Sequence, residues 1–570
     1  MEQDWILKPN GNQEYVDKLS EELTIEKPIA NMLVQRGITT FEQAKSFFRP
    51  SLDDLHDPFL MKDMDKAIAR LENAIINNEK ILIYGDYDVD GTTSVALVYS
   101  YLKEIYRNID YYIPDRYSEG YGISFKGIDY AEENKQTLVI ALDCGIKAND
   151  KIVYANNKNI DFIICDHHNP GEKIPDAVAV LDPKRLDCDY PFDGLSGCGV
   201  GFKFLQAFSQ KKGTTDNLWK YLDLVAVSIA SDIVPITGEN RTLAHFGLKQ
   251  LNNSPRIGLK SILDFTGLLH KDISIADCVF KIGPRINAAG RIESGNSAVK
   301  LLTAQDEMYA FNMSSKINNF NETRQNLDRI ITREALEMIE SNENLKSRKS
   351  NVLYKKDWHK GVIGIVASRI IESYFKPTII LTESNGKATG SARSVNDFNL
   401  YDAIDECSDL LESFGGHMHA AGLTLKIENI QKFSEKFEAV VSRKISEDQL
   451  IPKVNIDSEL NFSDITPKFY RIIKQFAPFG PGNMSPVYKT DNIADAGFTK
   501  IVGKDEEHLK LDLIDKTNSR IQGIGFNMAG YFKNFKQKNN IDICYSIDEN
   551  EFLGKKTLQL RIKGIKINSK

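Results

Sequence analysis

No apolar run in the 570 residues is long enough to cross a bilayer, and no basic start leads into a short apolar segment. A membrane partner is therefore not expected, and a cytoplasmic location is the default expectation. The seven cysteines, Cys144, Cys165, Cys188, Cys198, Cys278, Cys407 and Cys544, contain no CxxC pair and are odd in number. That argues against a disulfide framework and against a thiolate zinc ribbon. Histidine is scarce, with nine in all, and there is no internal repeat or low-complexity tract. No strong charge bias exists either: 72 Lys and Arg oppose 79 Asp and Glu, a net charge of −7 that mildly disfavours a polyanionic partner. The average conceals an uneven distribution, because the last forty residues hold nine Lys or Arg against four Asp or Glu.

What is present is the composition of an ordinary globular protein, 42% hydrophobic and 26% charged, in a chain long enough for two to four domains. Residues 1–50 read as helical and irregular. From residue 81 short apolar runs, "ILIYGD", "DYYIPD", "TLVIALD", "DFIICD" and "AVAVLD", recur with helix-like stretches between several of them. Such alternation predicts a parallel sheet covered on both faces. Residues 298–345 contain no Gly or Pro and keep a helical apolar period through Ile317, Phe320, Leu327, Ile330 and Met338, so a long connecting helix is expected. A second, smaller α/β region follows over 346–446. Over 447–570 aliphatic runs alternate with turn-like breaks, the pattern of a small β-barrel or sheet domain.

Four of the apolar runs end in aspartate, at Asp86, Asp143, Asp166 and Asp182, and ligands of open parallel sheets bind outside the carboxyl ends of the strands. One aspartate after one strand is commonly a helix N-cap or a turn residue. The combination is different. "GDYDVDG" places Asp86, Asp88 and Asp90 together, "CDHHNP" adds Asp166, His167 and His168, and "IASDIVP" adds Asp232. Clustered carboxylates repel one another unless cations neutralise them. Oxygen ligands with one or two imidazoles suit Mn²⁺ or Mg²⁺, and two such ions activate water and stabilise both the attacking and the leaving oxygen of a phosphoryl displacement. Arg116, Arg285, Arg291 and Arg393 sit near glycines in loop-like contexts suited to bidentate phosphate binding, although each alone reads equally well as a surface ion pair.

The strings "YGDYDVDGTT", "ALDCGI", "CDHHNP" and "IASDIVP", in this order, resemble the four motifs of the DHH phosphoesterase superfamily. "IPDRYSEGYG", "GPRINAAGRI", "GSARS", "GGHMHAAG" and the N-terminal "LVQRGITTFEQAKSFF" are similar to its RecJ branch, so the resemblance covers nearly the whole chain. It implies a DHH domain over 51–297, a connecting helix over 298–345, a DHHA1 domain over 346–446 and an oligonucleotide-binding (OB) barrel over 447–570. It also implies 5′ to 3′ exonuclease activity on single-stranded DNA in recombination and repair, with a helicase and a single-strand-binding protein as collaborators. On the same basis Asp86, Asp88, Asp90, Asp143, His167 and Asp232 are the expected metal ligands. His168 is the expected transition-state contact, and Asp166 the residue that orients the histidines. Arg116, Arg285, Arg291, Ser391, Arg393 and His417 are expected on the substrate, with His419 left open. Tyr531, Phe532 and Phe535 read either as base-stacking residues or as core. The competing readings are a small-substrate phosphodiesterase for oligonucleotides or cyclic dinucleotides, and a non-catalytic DNA-binding scaffold.

Overall fold

The computed structural model describes residues 3–537, 540–552 and 554–568. The chain folds into two compact units, one of Asp57–Asp232 with Gly247–Pro452, the other of Met1–His56, Ile233–Phe246 and Lys453–Lys570. No helix among the described residues is long and apolar enough to cross a membrane.

In the first unit the apolar runs form a five-stranded parallel sheet in the order Ile109–Tyr112, Lys80–Gly85, Gln136–Leu142, Asp161–Cys165 and Ala179–Leu181. Its central strands are apolar on successive residues, Ile81, Leu82 and Ile83 or Leu138, Val139 and Ile140, because both faces are buried. The chain runs from Lys80–Gly85 to one edge and resumes on the other side at Gln136–Leu142. Strand order thus reverses between these two strands, and a crevice opens beyond their carboxyl ends. Asp86, Asp143, Asp166 and Asp182 each follow directly on a strand and share that rim. Gly91 is required here, since a Cβ on it would lie 2.4 Å from the Asp86 carbonyl oxygen.

The stretch expected as one helix is divided into Asn296–Leu302, Glu307–Glu340 and Glu343–Ser347. Asp306 caps the central 34-residue helix by accepting the Tyr309 N–H at 2.7 Å. One face, Ala310, Ser314, Ile317, Asn321, Arg324, Asp328, Ile331, Ala335 and Ile339, is buried along its whole length. Near its far end Asp328 accepts from Arg369 at 3.0 Å, and Ile331, Ala335 and Ile339 join the core of the second α/β domain. That domain is a five-stranded mixed sheet in the order Leu411–His417, Ala420–Leu425, Lys387–Arg393, Thr378–Ser384 and Asn351–Tyr354.

The other unit contains a seven-stranded sheet that closes on itself where Tyr488–Asp495 pairs with both Asn540–Phe552 and His508–Ile514. The N-terminal helices Gln13–Leu23, Lys27–Val34 and Phe41–Phe48 have no separate core. Their Val16, Leu19, Ile29 and Leu33 pack in one cluster with Phe469, Tyr488, Leu511 and Tyr545. Asp4–Leu7 also pairs in parallel with Lys453–Ile456. Arg241, whose guanidinium burial lowers to about 10, donates only to backbone carbonyls, those of Phe47 and of Gln475 to Pro478, and so ties the 233–246 segment into this unit.

Candidate metal centre and phosphate cleft

Asp88 and Asp90 stand at the start of the helix Val89–Ile105, and Asp88 does cap it, accepting the Gly91 N–H at 3.0 Å with one oxygen. The bland reading of an aspartate after a strand is therefore correct for Asp88 without exhausting its carboxylate. Asp90 is buried and accepts three donors: the N–H groups of Gly197 at 2.7 Å and Cys198 at 2.8 Å, and the Ser228 hydroxyl at 2.7 Å. The first two are free N–H groups at the N-terminus of the helix Gly197–Lys212, which favours an anion. Gly197 cannot carry a side chain, because its Cβ would lie 2.6 Å from that of Asp143.

His167 lies at the meeting point. Its Nε2 is 3.2 Å from Asp143, 3.5 Å from Asp232 and 3.7 Å from Asp90. Two groups of three side chains have ligand atoms within 4.8 Å of one another, Asp90 with His167 and Asp232, and Asp143 with His167 and His168. His167 belongs to both, while Asp86 and Asp88 belong to neither. His168 thus falls within a ligand triad, a placement the sequence did not anticipate. Its Nδ1 lies 2.7 Å from Asp166 Oδ1, and Asp166 also accepts the N–H groups of Ile146 at 2.9 Å and His167 at 2.7 Å.

The charge state of the cluster fits a cation. Burial, then the neighbouring carboxylate, pushes up Asp86 (against Asp88) and Asp88 (against Asp90). Burial and the charge of Asp90 likewise push up Asp143, and they bring Asp232 to about 8. Burial lowers His167. Burial is the largest influence on His168 and Asp166 and opposes their charges, but their mutual hydrogen bond together with the attraction of their opposite charges and of neighbouring groups outweighs it, raising His168 to about 9 and lowering Asp166 to about 2. Both ring nitrogens of His167 and Oδ2 of Asp86 are buried with no hydrogen-bond partner. Leaving such groups unsatisfied is costly, so this O/N donor set fits a hard divalent ion. The nearby Cys144, Cys165 and Cys198 are buried, and burial raises their thiols far from thiolate character.

Next to this rim a cavity of about 560 Å³ lies between the two α/β domains, lined among others by Arg116, Arg291, Lys360, Ser391 and Arg393. Arg116 stacks over the Tyr87 ring at 4.7 Å. Arg393 is braced by Ser391 at 3.1 Å and the Ala392 carbonyl at 2.8 Å, while Arg291 donates to the Gly361 carbonyl at 2.9 Å. Burial and then the charge of Arg116 lower both Arg393 and Arg291, the latter to about 10, as expected of cations gathered without a counter-anion. Arg285 is not brought to this cavity: it bonds Asn318 at 3.1 Å and the Lys281 carbonyl at 2.8 Å. His417, at the end of its strand, lies outside the lining; partial enclosure of its ring and then His419, Arg393 and His168 lower it. The His419 N–H donates to its ring at 3.2 Å.

Sequence reasoning missed Ser196, Gly197, Cys198 and Ser228 behind Asp90, Tyr87 and Tyr121 in the cleft wall, and Lys360. The glycine-rich helix start "SGCGVG" was the available signal for Ser196, Gly197 and Cys198. In the barrel, Phe535 is core, and Tyr531 and Phe532 pack against it. Exposed aromatics are Phe498, under Arg520 at 5.1 Å, and Phe526, under Arg561 at 5.3 Å; the half-buried Trp5 lies under Lys566 at 4.9 Å. Trp5 and Phe526 line one cleft with Tyr531 and Lys563.

A parallel sheet with this carboxylate and histidine rim, joined to a second α/β domain across an arginine-lined cleft, defines a phosphoesterase of the DHH type. The models of the DHH family N-terminal domain, the DHHA1 domain and the RecJ OB domain match residues 80–229, 349–443 and 456–564. The single-stranded-DNA-specific exonuclease RecJ of Bacillus subtilis is 36% identical over 554 residues, covering 97% of this chain and 69% of that protein. Its namesake from Salmonella typhimurium is 31% identical, covering 89% of this chain and 90% of that one. Among solved structures, Thermus thermophilus RecJ in complex with Mn²⁺ superimposes with a TM-score of 0.86 at 24% identity, over all of this chain and 80% of that one. Exonuclease RecJ bound to manganese gives 0.60 at 29% identity, over 70% of this chain and 98% of that one. The chain belongs to the RecJ family.

Proposed function

We infer that this protein is a metal-dependent exonuclease that hydrolyses single-stranded DNA from its 5′ end to 5′ mononucleotides, in DNA recombination and repair. The observation that carries the site assignment is His167, an imidazole shared by two groups of three candidate ligands, Asp90 with Asp232 and Asp143 with His168, with neither nitrogen hydrogen-bonded. Asp86, Asp88, Asp90, Asp143, His167 and Asp232 would hold Mn²⁺ or Mg²⁺. When bound, these ions activate water at neutral pH and offset the charge developing on the attacking and leaving oxygens.

The remaining work falls to the chain itself. Arg116, Arg291, Ser391 and Arg393 take the terminal 5′ phosphate and fix the strand in register. Asp166 holds the His168 ring so that Nε2 is the atom left to meet a non-bridging oxygen of the scissile phosphate, and His417 approaches from the second domain. Trp5 and Phe526 with their overlying cations provide stacking and phosphate contacts for the strand, so sequence preference is low. Cooperation with a helicase and a single-strand-binding protein, and action in the cytoplasm, are inferences from the family.

The test uses Mn²⁺ and an oligonucleotide labelled at its 3′ end, beside the matching blunt duplex. A descending ladder from the single strand alone is expected. Absence of cleavage combined with rapid hydrolysis of dinucleotides would overturn this function in favour of a small-substrate phosphodiesterase.

A further inference from the structure

The Nε2 atom of His168 has a partner within the protein. The Tyr121 hydroxyl lies 3.1 Å from it and also 3.1 Å from the Asp143 carbonyl oxygen. Asp166 holds the other ring nitrogen, so Nε2 is the one position at which this imidazole can meet anything else. A ring nitrogen offers a single in-plane hydrogen bond, and a phenol and a phosphate oxygen cannot share it.

Tyr121 is also mounted so that it can leave. Its neighbours Gly120 and Gly122 both have left-handed backbone, with φ of 87° and 82°. A Cβ on Gly120 would meet nothing within 4 Å, so the cleft is open beside the ring. The Tyr121 residue is 53% exposed and meets Tyr87 only edge-on, with centroids 6.4 Å apart. It lines the cleft with Arg116, Arg291 and Arg393. The side chain is therefore held mainly through its hydroxyl, at the junction between the arginine cleft and the metal centre.

We propose that Tyr121 is a positioning residue that holds His168 Nε2 and surrenders it to the scissile phosphate, so that phenol and substrate compete for one nitrogen. This rests on the role given to His168 above. The phenol donates its proton to the Asp143 carbonyl and so accepts from Nε2–H as a neutral oxygen, and a phosphate oxyanion wins the competition because it brings a full negative charge to the same donor. The Gly122 backbone stays tied to Asp86 and Tyr84, so the ring turns aside by rotation about its own side-chain bonds into the open cleft. The tyrosine raises KM while leaving the chemical step alone, and it screens His168 from free inorganic phosphate.

Tyr121→Phe keeps the ring and deletes the competitor. KM for a 5′-phosphorylated oligothymidylate should fall about five-fold, the weight of one hydrogen bond, with kcat unchanged. Inorganic phosphate should inhibit more strongly by a similar factor. A fall in kcat at constant KM would overturn the inference, since the hydroxyl would then act in the transition state. No change in either parameter would also overturn it, provided His168→Ala abolishes turnover. A His168→Ala enzyme that cuts at the parent rate would overturn the underlying reading of His168 as well.

Discussion

Removal of the Ser228 hydroxyl isolates how the protein holds Asp90. Ser196 accepts the Gly199 N–H at 3.1 Å and lies 2.6 Å from Ser228, which in turn donates to Asp90 at 2.7 Å. The direction of the chain is fixed: Ser228 spends its proton on the carboxylate, so Ser196 must donate to Ser228. Ser228→Ala deletes one of three donors to a carboxylate that is only 2% exposed. A hydrogen bond to a charged group contributes about 1.5–3 kcal/mol, roughly ten- to a hundred-fold in a binding constant. Losing groups that orient metal ligands costs about the same factor. Mn²⁺ affinity, measured by isothermal titration calorimetry, should therefore fall about ten-fold or more. Helix content by circular dichroism should be unchanged, because the Gly197 and Cys198 N–H groups still hold Asp90. Parent-like Mn²⁺ affinity in a folded Ser228→Ala protein would refute the reasoning.

Asp88→Asn preserves an oxygen for the helix cap but removes the charge, so cleavage should drop below roughly a hundredth of the parent rate while single-strand affinity, read by fluorescence anisotropy, persists. Arg393→Ala should reduce the preference for 5′-phosphorylated over 5′-hydroxyl ends by about ten-fold in kcat/KM; equal losses on both ends would argue against a 5′-phosphate pocket. Phe526→Ala should weaken binding of a long single strand by about 1–3 kcal/mol and leave dinucleotide hydrolysis unaffected. Burial, reinforced by Asp166, pushes the Asp182 carboxyl up to about 7, and its Oδ2 has no partner. An unfolded aspartate titrates near 3.9, so ionising Asp182 penalises folding fully above about pH 7 and not below about pH 4. Asp182→Asn in EDTA should thus raise thermal stability at about pH 8, by at most about 4 kcal/mol, with the gain vanishing toward pH 4. An equal gain at both pH values would show that ionisation is not the cause.

Much of the acidic rim was legible because strand ends in a parallel sheet all face one way. Once "ILIYGD", "TLVIALD" and "DFIICD" read as buried strands, their terminal aspartates had to share an edge. The helix 307–340 was visible from its apolar period, whereas its cap at Asp306 and the breaks at either end were not singled out. Arg285 shows the limit: it has the same local context as Arg291, yet one turns toward Asn318 and the other into the cleft. Nothing in a linear motif distinguishes the two faces of one short helix until its neighbours are known. Phe535 and Phe526 make the same point in the barrel: one sits on the short helix Phe532–Lys536 and the other just beyond the strand Arg520–Gly525, and neither local context tells which ring turns into the core.

By itself, then, the sequence determined the strand and helix alternation, the carboxylate and histidine inventory and the family resemblance, because each of these is encoded in local pattern and residue type. Tertiary structure alone decided that His167 joins two triads, that a helix N-terminus and Ser228 clamp Asp90, and that Tyr121 sits on His168. It also decided that the first fifty residues share a core with the last hundred. These are contacts between segments scores to hundreds of residues apart in the chain, and their formation depends on how the packed elements meet in space, which no window of neighbouring residues contains.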